Sequence, residues 1–269
     1  MAIITLLTDF GTADGYVGAM KGVILSLNPN ARLIDITHDI EPQDVLGGAL
    51  ALSNAAPWFP SGTIHVAVVD PGVGGERKPL LMEWNGQFLI GPDNGLLSLA
   101  FPGSKPDAVY HLTDRSRFLD RISSTFHGRD IFAPVAGHLS LGVEPHEFGQ
   151  RLEQWVEIDI PRPGTKGGRL EGQVIHVDRF GNLITNIRSQ DLERSADRET
   201  LHISVAGTVI SGIRKSYAEV PEGQLLAVMG SRGYLEISQN RGSAAGRLSV
   251  GRGAVVIISK PPSGGEKQI

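Results

Sequence analysis

Three apolar runs near the start of the chain, each followed by an aspartate, constrain its fold more than any other feature. Ile3 to Leu7 leads into Thr8-Asp9, Arg32 to Thr37 into His38-Asp39, and Thr63 to Val69 into Asp70. Segments with helical spacing separate them. Val17, Met20, Val23, Ile24 and Leu27 share one apolar face before Asn28-Pro29-Asn30 stops the helix. A second helix is expected over Gln43 to Ala56, with Pro42 at its first turn. Apolar, β-branched strands alternating with helices predict a parallel sheet with right-handed crossovers. All three acids then leave the carboxyl edge, where open α/β sheets bind ligands. Asp14 and Asp44 read as helix N-caps. Asp70 keeps two roles open: a ligand-facing carboxylate, or a cap on backbone amides of the turn that follows Pro71, Gly72-Val73-Gly74-Gly75.

Further on, Pro79 to Trp84 and Gln87 to Ile90 flank Asn85-Gly86, which predicts a hairpin with a type I′ turn. A short apolar helix is expected to end near Phe101, and a strand over Ala108 to Thr113. Thr125-Phe126-His127-Gly128-Arg129-Asp130 precedes an apolar helix, Ile131 to Leu141, in which Arg129 and Asp130 can form a local ion pair. Around Pro161-Arg162-Pro163-Gly164-Thr165-Lys166-Gly167-Gly168 the composition changes to that of a linker. Beyond it, short β-type runs recur: 170–177, 182–187, 201–205, 224–229, 234–238 and 254–259. Turn signals separate them, as in a small antiparallel sandwich or barrel. Asp178-Arg179-Phe180-Gly181-Asn182 and Ser231-Arg232-Gly233-Tyr234 stand out among those turns. The division expected is an α/β N-terminal domain over 1–160, a linker over 161–168 and a C-terminal β domain over 169–269.

Composition excludes more than it identifies. A net charge of −4 without a Lys/Arg stripe argues against nucleic acid. The absence of cysteine removes thiolate metal sites, iron–sulfur clusters and a Cys nucleophile, and the eight histidines lack metal-ligand spacing. The N-terminus runs straight into a strand, and no segment approaches the ~20 apolar residues of a membrane span, so a cytoplasmic, membrane-free protein is expected. Dinucleotide, Walker, zincin and nucleophile-elbow motifs are missing.

Six stretches in order carry a resemblance: Thr8-Asp9-Phe10-Gly11-Thr12, Asp70-Pro71-Gly72-Val73-Gly74, Gly91-Pro92-Asp93-Asn94-Gly95, Thr125 to Asp130, Asp178 to Asn182, and Ser231 to Tyr234. Over essentially its whole length the chain resembles the S-adenosylmethionine (SAM) hydrolases, or SAM hydroxide adenosyltransferases, relatives of the fluorinases and chlorinases. The resemblance implies a Rossmann-like, mostly parallel α/β N-terminal domain and a C-terminal antiparallel β-barrel domain. It also implies a homotrimer whose sites lie between one subunit's N-terminal domain and its neighbour's C-terminal domain. The implied reaction converts SAM and water to adenosine and L-methionine, with no metal and no other cofactor.

Carried over by position, the resemblance assigns Asp70, Arg77 and His127 to a catalytic triad and Asp9 to the ribose. It assigns Asp178 to the methionine ammonium, Asn182 and Phe180 to the adenine, and Ser231 and Arg232 to the methionine carboxylate. The halogenases differ at positions 70, 127 and 128, and carry an extra loop where this chain has a tight Asn85-Gly86 turn; both departures favour hydrolysis. SAM halogenation and a SAM or adenosine sensor with little turnover are the alternatives. A sulfonium releases a neutral thioether and needs no general acid, so the chemistry lacks only a nucleophile. Asp70 or His127 can accept the proton of an oriented water, and Arg77 can stabilise developing hydroxide.

Overall fold

The computed structural model describes residues 1–192 and 198–260. The final stretch of the expected C-terminal domain, 261–269, lies outside them. The chain divides into two compact units, Met1–Ile158 and Asp159–Ile269.

The first unit opens with β1 (Ile3–Thr8), α1 (Tyr16–Leu27), β2 (Arg32–Thr37), α2 (Val45–Ala55) and β3 (Ile64–Val68). It continues with β4 (Pro79–Trp84), β5 (Gln87–Pro92), β6 (Ala108–Leu112), α3 (Ala133–Ser140) and β7 (Gly149–Arg151). The sheet order is β2-β1-β3-β5-β4-β6-β7. Strands β2, β1, β3 and β5 are parallel, whereas β4, β6 and β7 pair antiparallel. The sheet is therefore evenly mixed rather than mostly parallel. The cause is local: the two-residue turn at Asn85 (φ 55°) and Gly86 (φ 71°) reverses the chain in the left-handed geometry of a type I′ turn.

Alternating side chains feed two cores. Ile4, Leu6, Ile64, Val66 and Val68 pack with Met20 and Ile24 of α1 and with Ala133, Val135 and Ala136 of α3. Leu7, Ala67 and Val69 pack on the opposite face with Ala49 and Leu52 of α2. Each fully buried aliphatic side chain contributes about 1.5–3 kcal/mol, which anchors the sheet edge where Asp9 and Asp70 emerge. Several local expectations are corrected. Asp44 caps α2 by accepting from the Gly47 amide, but Asp14 does not cap α1, whose N-cap is Gly15 without a side-chain bond. Pro42 lies before α2 rather than in its first turn, and residues 96–99 form turns, not a helix.

The second unit contains β8 (Gly164–Lys166), β9 (Arg169–Val177), β10 (Leu183–Arg188), β11 (His202–Val205), β12 (Thr208–Ser211) and β13 (Ile213–Arg214). It ends with β14 (Leu225–Met229), β15 (Tyr234–Gln239), α4 (Ala244–Leu248) and β16 (Val255–Ser259). Their order is β12-β11-β16-β9-β10-β15-β14-β13, with β8 added on β9. Strand β12 also packs against β14, so the sheet is nearly closed and barrel-like. One pairing, β13 with β14, is parallel. Within the stretch expected as a linker, Gly164–Lys166 is a paired strand of this unit.

Candidate active site

Strands β1 and β3 are parallel neighbours with Thr8 opposite Val68, so Asp9 and Asp70 leave the same sheet edge side by side. Asp70 is gripped by Arg77 from within its own loop. Nε donates to both carboxylate oxygens at 3.0 Å, and Nη2 donates to Oδ2 at 2.5 Å. The same Nη2 reaches Nδ1 of His127 at 2.7 Å. An arginine can only donate, so Nδ1 is the acceptor and the neutral imidazole carries its proton on Nε2. Burial, and next the charge of Arg77, hold the His127 pKa below its usual value, against the pull of Asp70 and Asp130. The guanidinium also sits 5.6 Å from the ring centre of Phe132, a cation–π arrangement that suits a planar cation.

His127 precedes one turn of π-helix, Gly128–Phe132, that leads into α3. Such wide turns occur often at functional sites. Asp130, fully buried in this turn, accepts from Nε of Arg129 at 2.6 Å and from the Ser123 amide at 2.7 Å, tying down the loop before His127. That loop meets the Asp70 loop at Gly74. A Cβ there would lie 2.1 Å from the Ser124 carbonyl oxygen, and Gly74 has φ +77°. Glycine at 74 thus serves the approach of two loops.

A cavity of about 420 Å³ opens beside this cluster, lined by Asp9, Phe10, Tyr16, Gln43, Asp70, Phe126 and His127 among others. Arg77 is not in its wall; it braces Asp70 and His127 from behind, with its side chain only 9 % exposed. Phe10, Tyr16 and Phe126 pack edge to face, with ring centres 5.3–5.9 Å apart. Asp9 accepts from the amide of Gln43 at 2.8 Å, and Gln43 is held at φ 68° to supply it. A left-handed non-glycine residue in a cavity wall is local strain of the kind found at ligand sites.

The second unit carries the other residues singled out from the sequence. Asp178 builds its own turn: Oδ1 accepts from the amides of Phe180 (2.9 Å) and Asn182 (2.8 Å), and Oδ2 accepts from Asn182 Nδ2 (2.8 Å). Phe180 is 77 % exposed at the tip. Phe180, Asn182 and Tyr217 help to line a cavity of about 620 Å³. Ser231 and Arg232 form the tip of the β14–β15 turn, closed by the Gly230 amide donating to the Tyr234 carbonyl at 2.8 Å. Burial lowers the Arg232 pKa despite attraction from Tyr234, Glu236 and Asp178. Burial and then Asp178 raise that of Glu236, against Arg232.

Sequence reading missed Glu236 and Tyr217, and left Tyr16 and Gln43 unassigned. A signal existed for Glu236, an acid amid the apolar strand Tyr234-Leu235-Glu236-Ile237. Gln43 left no signal, because its role lies in a backbone angle.

A mixed α/β unit with paired aspartates at one sheet edge, followed by a barrel-like β unit, matches a known pairing of domains. The SAM hydroxide adenosyltransferase N-terminal domain matches residues 4–149, and the C-terminal domain of that name matches 172–257. The chain belongs to the SAM hydroxide adenosyltransferase family. It is 37 % identical to an (R)-S-adenosyl-L-methionine hydrolase of Thermus thermophilus, covering 95 % of this chain and 99 % of that one. It is 38 % identical to the hydrolase of the same name from Methanocaldococcus jannaschii, over 92 % of each. A fluorinase of an Actinoplanes species is 27 % identical, over 96 % of this chain and 97 % of its own. Among solved structures, an uncharacterized conserved protein from Thermotoga maritima superposes with a TM-score of 0.88 at 37 % identity, covering 96 % of this chain and all (100 %) of that one.

Proposed function

We propose that the protein hydrolyses S-adenosyl-L-methionine to adenosine and L-methionine by attack of water at C5′. The observation that carries this is the bridge from Asp70 through Arg77 to His127 at a cavity wall, in a chain 37–38 % identical to named SAM hydrolases. With Nδ1 engaged by Arg77, the Nε2–H of His127, a residue of the cavity wall, is the group left to hold the oxygen of a water or nascent hydroxide. Asp70 is then the proton acceptor. The water attacks C5′ as the C5′–S bond breaks, its proton passes to Asp70, and methionine leaves as a neutral thioether. Arg77 lowers the cost of the charge that develops between the two side chains.

Asp9, with Oδ1 open beside the Gln43-bound Oδ2, is suited to the ribose hydroxyls. Asn182 gives one amide N–H to Asp178, which orients its side chain, and its oxygen is suited to accept from the adenine amino group. Exposed Phe180 and Tyr217 offer faces for the base. Ser231 and Arg232 are suited to the methionine carboxylate, Arg232 by a bidentate grip, and Asp178 to the ammonium. We read the parallel half of the first sheet as a Rossmann-like core and the assembly as a homotrimer. In it, one subunit's first unit and its neighbour's second unit share the ligand's handles.

Incubation of the pure protein with SAM, without added metal, is expected to yield adenosine and methionine in equal amounts. Halide-dependent formation of 5′-halo-adenosine would identify a halogenase instead. Tight SAM binding without turnover, unaffected by Asp70→Ala, would identify a sensor.

A further inference from the structure

We propose that His38 is a positioning residue that sets the loop carrying Asp9 and Phe10 against the ligand. The side chain is buried, 5 % exposed, and has no part in the chemistry described above. Its Nδ1 lies 2.8 Å from Oγ1 of Thr8, and that oxygen accepts the amide N–H of Phe10 at 3.2 Å. The His38 carbonyl accepts the amide N–H of Gly11 at 2.8 Å. One residue therefore fixes the backbone on both sides of Phe10, directly at Gly11 and through Thr8 at Phe10 itself.

Thr8 Oγ1 accepts from Phe10 and shares a second hydrogen bond with Nδ1 of His38. Nε2 lies 3.0 Å from Oδ1 of Asp35, near enough for attraction though out of line for a well-directed hydrogen bond. Lys21 holds the other oxygen of Asp35 at 2.6 Å. A lysine on α1 and an acid on the edge strand β2 thus orient a buried imidazole under the end of β1. Partners that orient a functional group from behind set its precision as much as the group itself does.

The inference rests on Asp9 and Phe10 facing substrate, and two readouts separate it from that premise. Replacing His38 by Leu is expected to raise KM for SAM about tenfold with kcat changed much less, the equivalent of one well-placed hydrogen bond. It is also expected to speed amide hydrogen exchange across residues 9–12. Thr8→Val should reproduce both effects without touching the imidazole. His38→Asn, whose side-chain amide can still hydrogen-bond Thr8, should recover most of the wild-type KM. Asp35→Asn, at the partly exposed outer end, should shift KM the same way by less and serves if the buried variants fold poorly. A lower melting temperature with unchanged KM and unchanged exchange at 9–12 would overturn the proposal. If the wild type does not turn over SAM, the functional reading fails alone, and exchange at 9–12 still decides the role of His38.

Discussion

Arg77 donates to Nδ1 of His127 across 2.7 Å while its Nε spans both oxygens of Asp70. One guanidinium therefore sets the tautomer of the imidazole and the orientation of the carboxylate together. Replacing Arg77 by Met should lower kcat by about 100-fold or more, since misoriented groups lose most of their catalytic value. It should also raise the His127 titration midpoint, followed by imidazole NMR, because a cation that disfavours imidazolium is gone. An unmoved midpoint would refute the contact.

Because burial and Arg77 keep His127 neutral, the acid limb of kcat/KM should have its midpoint below 6.5. As pH falls through that midpoint, Nδ1 gains a proton, ceases to accept from Arg77, and activity is lost. A pH–rate profile checks this, and a midpoint above 6.5 would contradict it.

Gly74→Ala should separate the loops that carry Asp70 and His127. The new methyl would meet the Ser124 carbonyl, in a backbone conformation that side chains rarely adopt. A drop of about 100-fold in kcat/KM is expected from a displacement on the order of 1 Å. The stability loss should be only about 1–2 kcal/mol, read by urea unfolding, since both loops lie at the surface.

Asp130→Ala should cost more stability, about 2–3 kcal/mol by the same measurement. It strands the Ser123 amide and Arg129 beneath the loop before His127, but Arg129 is 38 % exposed and recovers some hydration. Turnover should fall as well, because that loop positions the imidazole.

His65 governs a separate pH dependence. Buried between the Thr5 hydroxyl (2.7 Å) and Gln87 Oε1 (2.6 Å), it has its pKa pushed down to about 4, chiefly by burial and against the Gln87 hydrogen bond. Below 6.5 the unfolded chain gains a proton that the folded one refuses. Stability is therefore full above that pH and falls toward pH 4, by about 3 kcal/mol in all. Urea midpoints measured across this range should show the slope, and His65→Asn should flatten it.

Much of this molecule was legible in short range. The runs ending at Asp9, Asp39 and Asp70, the Asn85-Gly86 turn, and six strands of the second unit follow from spacing and residue type, whereas the short strands β8, β12 and β13 were not foreseen. The evenly mixed first sheet was half legible, since the hairpin turn was foreseen while its antiparallel consequence for the sheet was not. Asp178 shows the limit from the other side: its residue type suits both a turn and a ligand, and in the fold its oxygens already build the turn.

By itself the sequence determined where strands end in acids and which side chains are available for chemistry, because periodicity and turn chemistry act between near neighbours. Only the tertiary structure decided that Arg77 stands behind Asp70 and His127 rather than in the cavity wall. It alone brought the Gly74 and Ser124 loops together, wound a π-turn after His127, and turned Gln43 left-handed to reach Asp9. Those features depend on packing between segments far apart in the chain, where a fit of a few tenths of an ångström decides the outcome.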